Sequence, residues 1–370
     1  MLDLAAIFTA DPINIFYATG ARNMSIYSMM GAVRFMLVVA DGPVIVWEFA
    51  GSEHLLSGLD TIDDVRTAPG VTALSGPGYL DSIGPLAAEI ADACDATPSS
   101  LTRVGVERVD HPVTDALRAA GITLASATDG FVAARRIKLP GEIELMDEAM
   151  ERVRGAVAAL RTQVVPGRSE IEVWAELHRH LIAHGGEYIS TRLVQAGQRT
   201  FPYFHEAGTN VLQDGDLLCV DTDAIGYGGY AVDFSRTYLC GSSPATSAQR
   251  TLHSLALEQL RHNVALLGPG VSFEDLARKA WDVPARYAPY GYYCVAHGLG
   301  LSGEYPYVPI HDTDQPYPLD GQFEPGMVIC VESYIGDADE GQGVKLEDQL
   351  LLTDTGVRRM STSPFDSALT

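Results

Sequence analysis

Several carboxylates in this sequence stand inside apolar, strand-like text, where an unpaired charge is not tolerated. Glu332 follows directly on Met327-Val328-Ile329-Cys330-Val331, Glu347 closes Val344-Lys345-Leu346-Glu347, and Asp221 follows the apolar run from Leu217 to Val220. A carboxylate taken out of water into a packed interior costs several kcal/mol unless something positive meets it. Asp221 and Asp223 are two residues apart and share a face if the strand continues through both. Asp233 lies past the glycine-rich stretch Gly226-Tyr227-Gly228-Gly229, which folds the chain back as a hairpin and brings a third carboxylate to the same place. Such a cluster repels itself unless protons or metal ions supply positive charge, and bridging carboxylates are common ligands of paired hard or borderline cations. His297, flanked by Ala296 and Gly298, offers one nitrogen to the same set.

The rest of the chain supplies a frame for that cluster. With 370 residues, 46% hydrophobic and 20% charged, it can bury a large core and is expected to form two domains. In the first third, short apolar runs (Phe35 to Val39, Val44 to Trp47) alternate with helical stretches near 82–95 and 111–120, an α/β pattern. The basic segment Ala134-Arg135-Arg136-Ile137-Lys138-Leu139-Pro140-Gly141 marks a boundary, giving domains over 1–134 and 135–370. Beyond it we expect a long amphipathic helix from Glu142 to about Thr162. Pro166-Gly167 breaks it, and a second helix follows, opened by the Ser169/Glu172 capping box and ending near His184. Strand text around Leu217–Val220, helices at about 245–266 and 273–282, and closing strands at Val328–Val331 and Leu350–Leu352 make this domain α+β, with helices over a mainly antiparallel sheet.

Composition narrows the partners. Against 25 Lys and Arg stand 48 Asp and Glu, a net charge of −23, which repels nucleic acid and anionic membrane but not a zwitterionic small molecule. The five cysteines form no C-x-x-C pair and read as reduced core thiols. The N-terminus has no basic leader, and no run reaches the roughly 18 apolar residues of a membrane span, so a cytoplasmic location is expected and Asn23-Met24-Ser25 is a chance sequon.

Taken in order, Asp221, Asp223 and Asp233, then His297-Gly298-Leu299-Gly300, Gly326-Met327-Val328 with Glu332, and Leu346-Glu347-Asp348 resemble the ligand set of the creatinase/aminopeptidase P/methionine aminopeptidase superfamily. The resemblance extends to Arg136-Ile137-Lys138, Asp214-Gly215-Asp216-Leu217 and Asp233-Phe234-Ser235-Arg236-Thr237. It implies a pita-bread catalytic domain behind a smaller N-terminal α/β domain, a homodimer, and two divalent metal ions per chain. Asp221, Asp223, Asp233, His297, Glu332 and Glu347 would be their ligands. Carboxylates with one imidazole suit Mn, Fe, Co or Zn nearly equally.

Two positions depart from the superfamily's Xaa-Pro peptidases, which line the substrate pocket with two further histidines. Phe204 stands at the first, with His205 one residue beyond, and Glu304 at the second. The departures instead resemble the dimethylsulfoniopropionate lyase branch, through Asp221-Thr222-Asp223, the twelve-residue step from Asp221 to Asp233, Arg199-Thr200-Phe201-Pro202-Tyr203-Phe204, and Tyr292 at a substrate-contacting position. Where that branch has a basic Asp, this chain has Gly303, which leaves Tyr292 and the adjacent Glu304 as candidate bases and His205 as a further candidate. The expected activity is thus a C–S lyase acting on a small zwitterionic carboxylate. The alternatives are an Xaa-Pro dipeptidase, in which a metal-bridging hydroxide attacks the peptide carbonyl, and a catalytically silent binding protein of the same fold. Gly298-Leu299-Gly300-Leu301-Ser302-Gly303 spells G-x-G-x-x-G but lacks the helix and distant acidic residue of a dinucleotide site. His178 and His180, two apart on a helix, do not face each other.

Overall fold

Strand residues that are apolar on both faces call for cover on both, and the N-terminal unit provides it. The computed structural model describes residues 3–70, 76–96, 103–310 and 319–370. It divides into two compact units, Met1–Ala134 and Arg135–Thr370. The elements of the first are β1 (Ala6–Thr9), α1 (Pro12–Thr19), α2 (Ser25–Met30), β2 (Phe35–Val39), β3 (Val44–Glu48), β4 (Asp64–Thr67), α3 (Ile83–Asp95), β5 (Arg103–Glu107), α4 (His111–Ala119), β6 (Thr123–Ser126) and α5 (Thr128–Arg135). The strands make one mixed sheet in the order β4-β3-β2-β1-β5-β6. On one face Phe35, Leu37 and Trp47 pack with Leu86 and Ile90 of α3 and Leu117 of α4. On the other, Met36 and Val46 pack with Ile15 of α1.

The second unit opens with α6 (Pro140–Arg161) and α7 (Glu170–Ala183). Pro140 stands in the first turn of α6, where its missing N–H costs nothing, and the Glu142 carboxylate accepts from the Leu139 N–H at 2.8 Å. α7 carries the Ser169/Glu172 capping box. Then come β7 (Tyr188–Ile189), β8 (Val194–Ala196), β9 (Leu217–Asp221), β10 (Ala224–Tyr227), β11 (Tyr230–Val232) and β12 (Ser235–Leu239). They are followed by α8 (Ser247–Leu266), α9 (Phe273–Lys279), β13 (Cys294–Leu299), β14 (Gly303–Pro309), β15 (Val328–Asp337), β16 (Gln342–Thr353) and β17 (Gly356–Arg359).

These strands form three antiparallel sheets: β11-β10-β7, β12-β9-β8 and β14-β13-β15-β16-β17. The architecture is α+β and of the pita-bread type. Alternation sorts the faces of the largest sheet. Ile329, Val331, Val344, Leu346 and Leu350 join Leu252, Ala256 and Leu260 of α8 and Phe273 and Leu276 of α9 in the core. Cys330, Glu332, Lys345, Glu347 and Gln349 therefore fall on the opposite face. The β10–β11 hairpin lies close on α6: a Cβ at Gly226 would stand 2.7 Å from the Ala149 carbonyl oxygen, so only glycine allows that approach. The G-x-G-x-x-G run joins β13 to β14, strand to strand rather than strand to helix. Among the described residues no helix is long and apolar enough to cross a membrane.

Candidate metal centre

Register brings the carboxylates together. β15 and β16 pair so that Glu332 stands opposite Glu347, and β13 pairs with β15 so that His297 stands opposite Cys330. Like charges directly opposite on a ladder destabilise it, so the Glu332–Glu347 pair needs positive charge. Part of it is in the chain: the fully buried Lys345, on the same face two residues before Glu347, places Nζ 2.7 Å from Glu332 Oε2, 3.2 Å from Glu347 Oε2 and 3.3 Å from Asp221 Oδ2. Asp221 ends β9, with Tyr203 Oη donating to its Oδ2 at 2.7 Å and Ser235 Oγ 2.7 Å from its Oδ1. The strand does not continue through Asp223. That residue turns into the left-handed region (φ 35°), and its Oδ2 accepts from Thr191 Oγ1 at 2.7 Å. Asp233 follows the hairpin, held by its N–H donating to Gln349 Oε1 at 3.1 Å.

His297 completes the set, its Nε2 lying 3.4 Å from Glu332 Oε1, 3.7 Å from Asp233 Oδ2 and 3.8 Å from Glu347 Oε1. Asp233 Oδ1 and Glu347 Oε1 are buried oxygens with no hydrogen bond to any described group. Ligand atoms of Asp233, His297, Cys330 and Glu347 lie within 4.8 Å of one another. The protein's own charges leave this cluster short of cations. Burial first, and the Asp221 charge second, push Asp223 up to about 6. Burial again leads in raising Asp233 and Glu347 well above the usual carboxylate range, followed by the charge of Glu347 on the former and of Glu332 on the latter. Burial also works to raise Asp221, but Lys345 and the Ser235 and Tyr203 hydroxyls outweigh it and hold that group at about 2. His297 is drawn down by burial yet lifted to about 9 by its bond to Glu332 and the charges of Glu332 and Glu347. Orphaned buried oxygens beside carboxylates whose charged form is disfavoured for want of positive charge fit a divalent ion.

The three candidates for proton transfer separate in space. Tyr292 lies beside the centre, buried among Tyr203 (5.6 Å between ring centres), Phe204 (5.5 Å) and Tyr293 (4.5 Å), with Lys345 Nζ 4.7 Å from its ring. Burial and then the Glu332 charge push its phenol well above the ordinary range. His205 is turned elsewhere: its Nδ1 lies 2.9 Å from the Arg199 carbonyl oxygen, and among the described residues no polar contact joins it to the carboxylates.

Glu304, the other candidate base, is engaged by cations. Its Oε1 takes Arg135 Nη2 at 2.6 Å, its Oε2 takes Lys138 Nζ at 2.8 Å, and the Leu301 N–H donates to Oε1 at 3.1 Å. Two cations and a backbone N–H thus occupy this carboxylate, which ties the segment around Arg135 and Lys138 to β14. Gly300 makes room for it, since a Cβ there would stand 2.3 Å from Glu304 Oε1. Sequence reasoning passed over Lys345, Cys330, Tyr203 and Ser235. The two-residue spacing of Lys345 from Glu347 and of Cys330 from Glu332 was the signal that would have found two of them.

A cavity of about 450 Å³ reaches Glu332, walled by Trp281, Val283, Tyr292, Tyr293 and Ile310. That is the size of a small-molecule site.

Residues 144–354 match metallopeptidase family M24. Over its whole length the chain is similar to a dimethylsulfoniopropionate lyase, DddP, of Roseovarius nubinhibens, with 32% identity covering 99% of this chain and 84% of the relative. It is also similar to an Xaa-Pro dipeptidase of Pyrococcus furiosus, at 29% identity over 61% of this chain and 63% of that one. Among solved structures, the prolidase of Pyrococcus horikoshii superposes with a TM-score of 0.79 at 23% identity, covering 98% of this chain and 95% of that one.

Proposed function

We propose that this chain, which belongs to metallopeptidase family M24, is a C–S lyase of the dimethylsulfoniopropionate type that holds two divalent ions and acts as a homodimer on a small zwitterionic carboxylate. Membership makes it a metal-dependent lyase or hydrolase. The observation that carries the lyase reading is what stands at the two places where Xaa-Pro peptidases bring histidines. Phe204 stacks on Tyr292, and Glu304 is closed in by Arg135 and Lys138, so neither place offers an imidazole to a peptide bond. Full-length similarity to two dimethylsulfoniopropionate lyases supports the same reading.

Asp221, Asp223, Asp233, His297, Glu332 and Glu347 would hold the ions, which when bound supply Lewis acidity and an anchor for a substrate carboxylate. The ring faces of Tyr203, Phe204 and Tyr292 suit the sulfonium end, whose positive charge is drawn to aromatic faces. Elimination takes a proton from the carbon beside the carboxylate and breaks the bond between the next carbon and sulfur, giving acrylate and dimethyl sulfide. With Glu304 engaged elsewhere, the proton falls to Tyr292; burial and the Glu332 charge raise its phenol, and the Lys345 ammonium, joined by the ions when bound, would work against them to favour the phenolate.

Parallel assays of the purified protein for dimethyl sulfide release and for Xaa-Pro cleavage test this. Dimethyl sulfide release is expected, reduced about 100-fold or more in Tyr292→Phe with metal content unchanged. Turnover of an Xaa-Pro dipeptide at kcat/KM of about 10⁴ M⁻¹s⁻¹ or better, without dimethyl sulfide, would overturn the proposal in favour of the dipeptidase.

A further inference from the structure

The two halves of the centre are chemically unlike. Around Asp221 and Asp223 the neighbouring polar groups are oxygens and one ammonium: Tyr203 Oη, Ser235 Oγ, Thr191 Oγ1 and Lys345 Nζ. Around His297 there is a sulfur. Cys330 lies on the same face of β15 as Glu332, directly opposite His297 on one side and Gln349 on the other. It is fully buried, and its Sγ lies 3.6 Å from the Asp233 carbonyl oxygen. The thiol does not stand alone. Its sulfur, the His297 nitrogen and one oxygen each of Asp233 and Glu347 gather within 4.8 Å, which one ion at ligand distances of about 2.0–2.3 Å spans after a small rotation of side chains. Within that group Glu347, wholly buried, carries an oxygen that nothing else satisfies, as does Asp233.

We propose that Cys330 supplies a sulfur ligand on the His297 side of the centre, so that this half takes a borderline ion such as zinc or cobalt in a sulfur, nitrogen and carboxylate set while the Asp221 half remains an all-oxygen site. As the metal–sulfur bond forms, the S–H proton leaves to solvent and no electrons change hands. Soft thiolate favours zinc over magnesium, calcium and manganese, which prefer oxygen. The inference rests on the reading that the centre binds divalent ions.

The test titrates chelator-treated protein with Co(II), following near-ultraviolet absorption and counting bound cobalt by elemental analysis. A sulfur-to-cobalt charge-transfer band should grow with bound cobalt. It should vanish in Cys330→Thr and Cys330→Ala and persist in Cys294→Ala and Cys219→Ala. Zinc should bind Cys330→Thr at least tenfold more weakly. Cobalt bound to the unmodified protein without the band overturns this inference alone, as does a band that disappears with Cys294 or Cys219 instead. Failure to bind cobalt at all overturns it together with the metal reading beneath it.

Discussion

A histidine lifted to about 9 by carboxylates around it is, in the metal-free protein, protonated through the whole neutral range. Its value in the fold lies above the ordinary 6.5, so the stability it lends is complete below that pH and fades as pH climbs toward 9. A metal ligand must be a neutral imidazole. Raising the pH therefore weakens the metal-free fold while strengthening the grip on metal, by about 1.4 kcal/mol per pH unit for each proton displaced. Thermal unfolding with zinc and with chelator should give Tm curves that diverge from pH 6.5 to 9; curves that converge would contradict this account of His297. The carboxylate positions could be read from sequence because a charge inside apolar strand text has few explanations. Lys345 and Cys330 could not, since a lysine in a strand usually faces water and a cysteine usually fills core. The engagement of Glu304 was not legible for another reason: the cations that occupy it, Arg135 and Lys138, lie 169 and 166 residues away along the chain.

Among the elements, the regular ones were the readable ones. The Pro140-Gly141 boundary announced α6 and the Ser169/Glu172 capping box announced α7, while α8 was expected at about 245–266. β15 was expected over Val328–Val331 and runs on to Asp337, all ten residues buried, because Glu332, Ser333 and Asp337 look like strand-ending text until their partners are known. The loop over 197–210 has no periodicity at all, yet it is firmly held. Glu170, the wholly buried first residue of α7, accepts from the Ala196 N–H at 2.9 Å, the Gly208 N–H at 3.0 Å, Asn210 Nδ2 at 3.0 Å and Arg199 Nε at 3.1 Å. This carboxylate closes the loop that carries Tyr203 and Phe204 to the centre. Removing it strands the buried Ala196 N–H, at a cost of about 1–3 kcal/mol, together with three part-buried donors. Glu170→Ala should keep its bound metal but raise KM for the substrate about tenfold or more, with the loop newly open to limited proteolysis. Unchanged KM with intact metal would show that the loop needs no such tether.

At the scale of the molecule, the candidate ligands come from all three sheets of the second unit: Asp221 from β9, Asp223 and Asp233 from the two ends of the β10–β11 hairpin, and His297, Glu332 and Glu347 from β13, β15 and β16. No short stretch of chain can hold the ion, so an unfolded or partly folded chain has little affinity for it. Interactions that form late on the way to the native state slow its loss without hastening its arrival. Stopped-flow unfolding should therefore be about 100-fold slower at a free ion concentration of about 100 Kd, where ligand binding adds about 2.7 kcal/mol, while refolding rates with and without metal stay alike. A matching acceleration of refolding would mean that the three sheets meet early. Because the ion bears on escape rather than on assembly, its supply would govern the lifetime of molecules already made and leave the yield of newly folded ones nearly untouched.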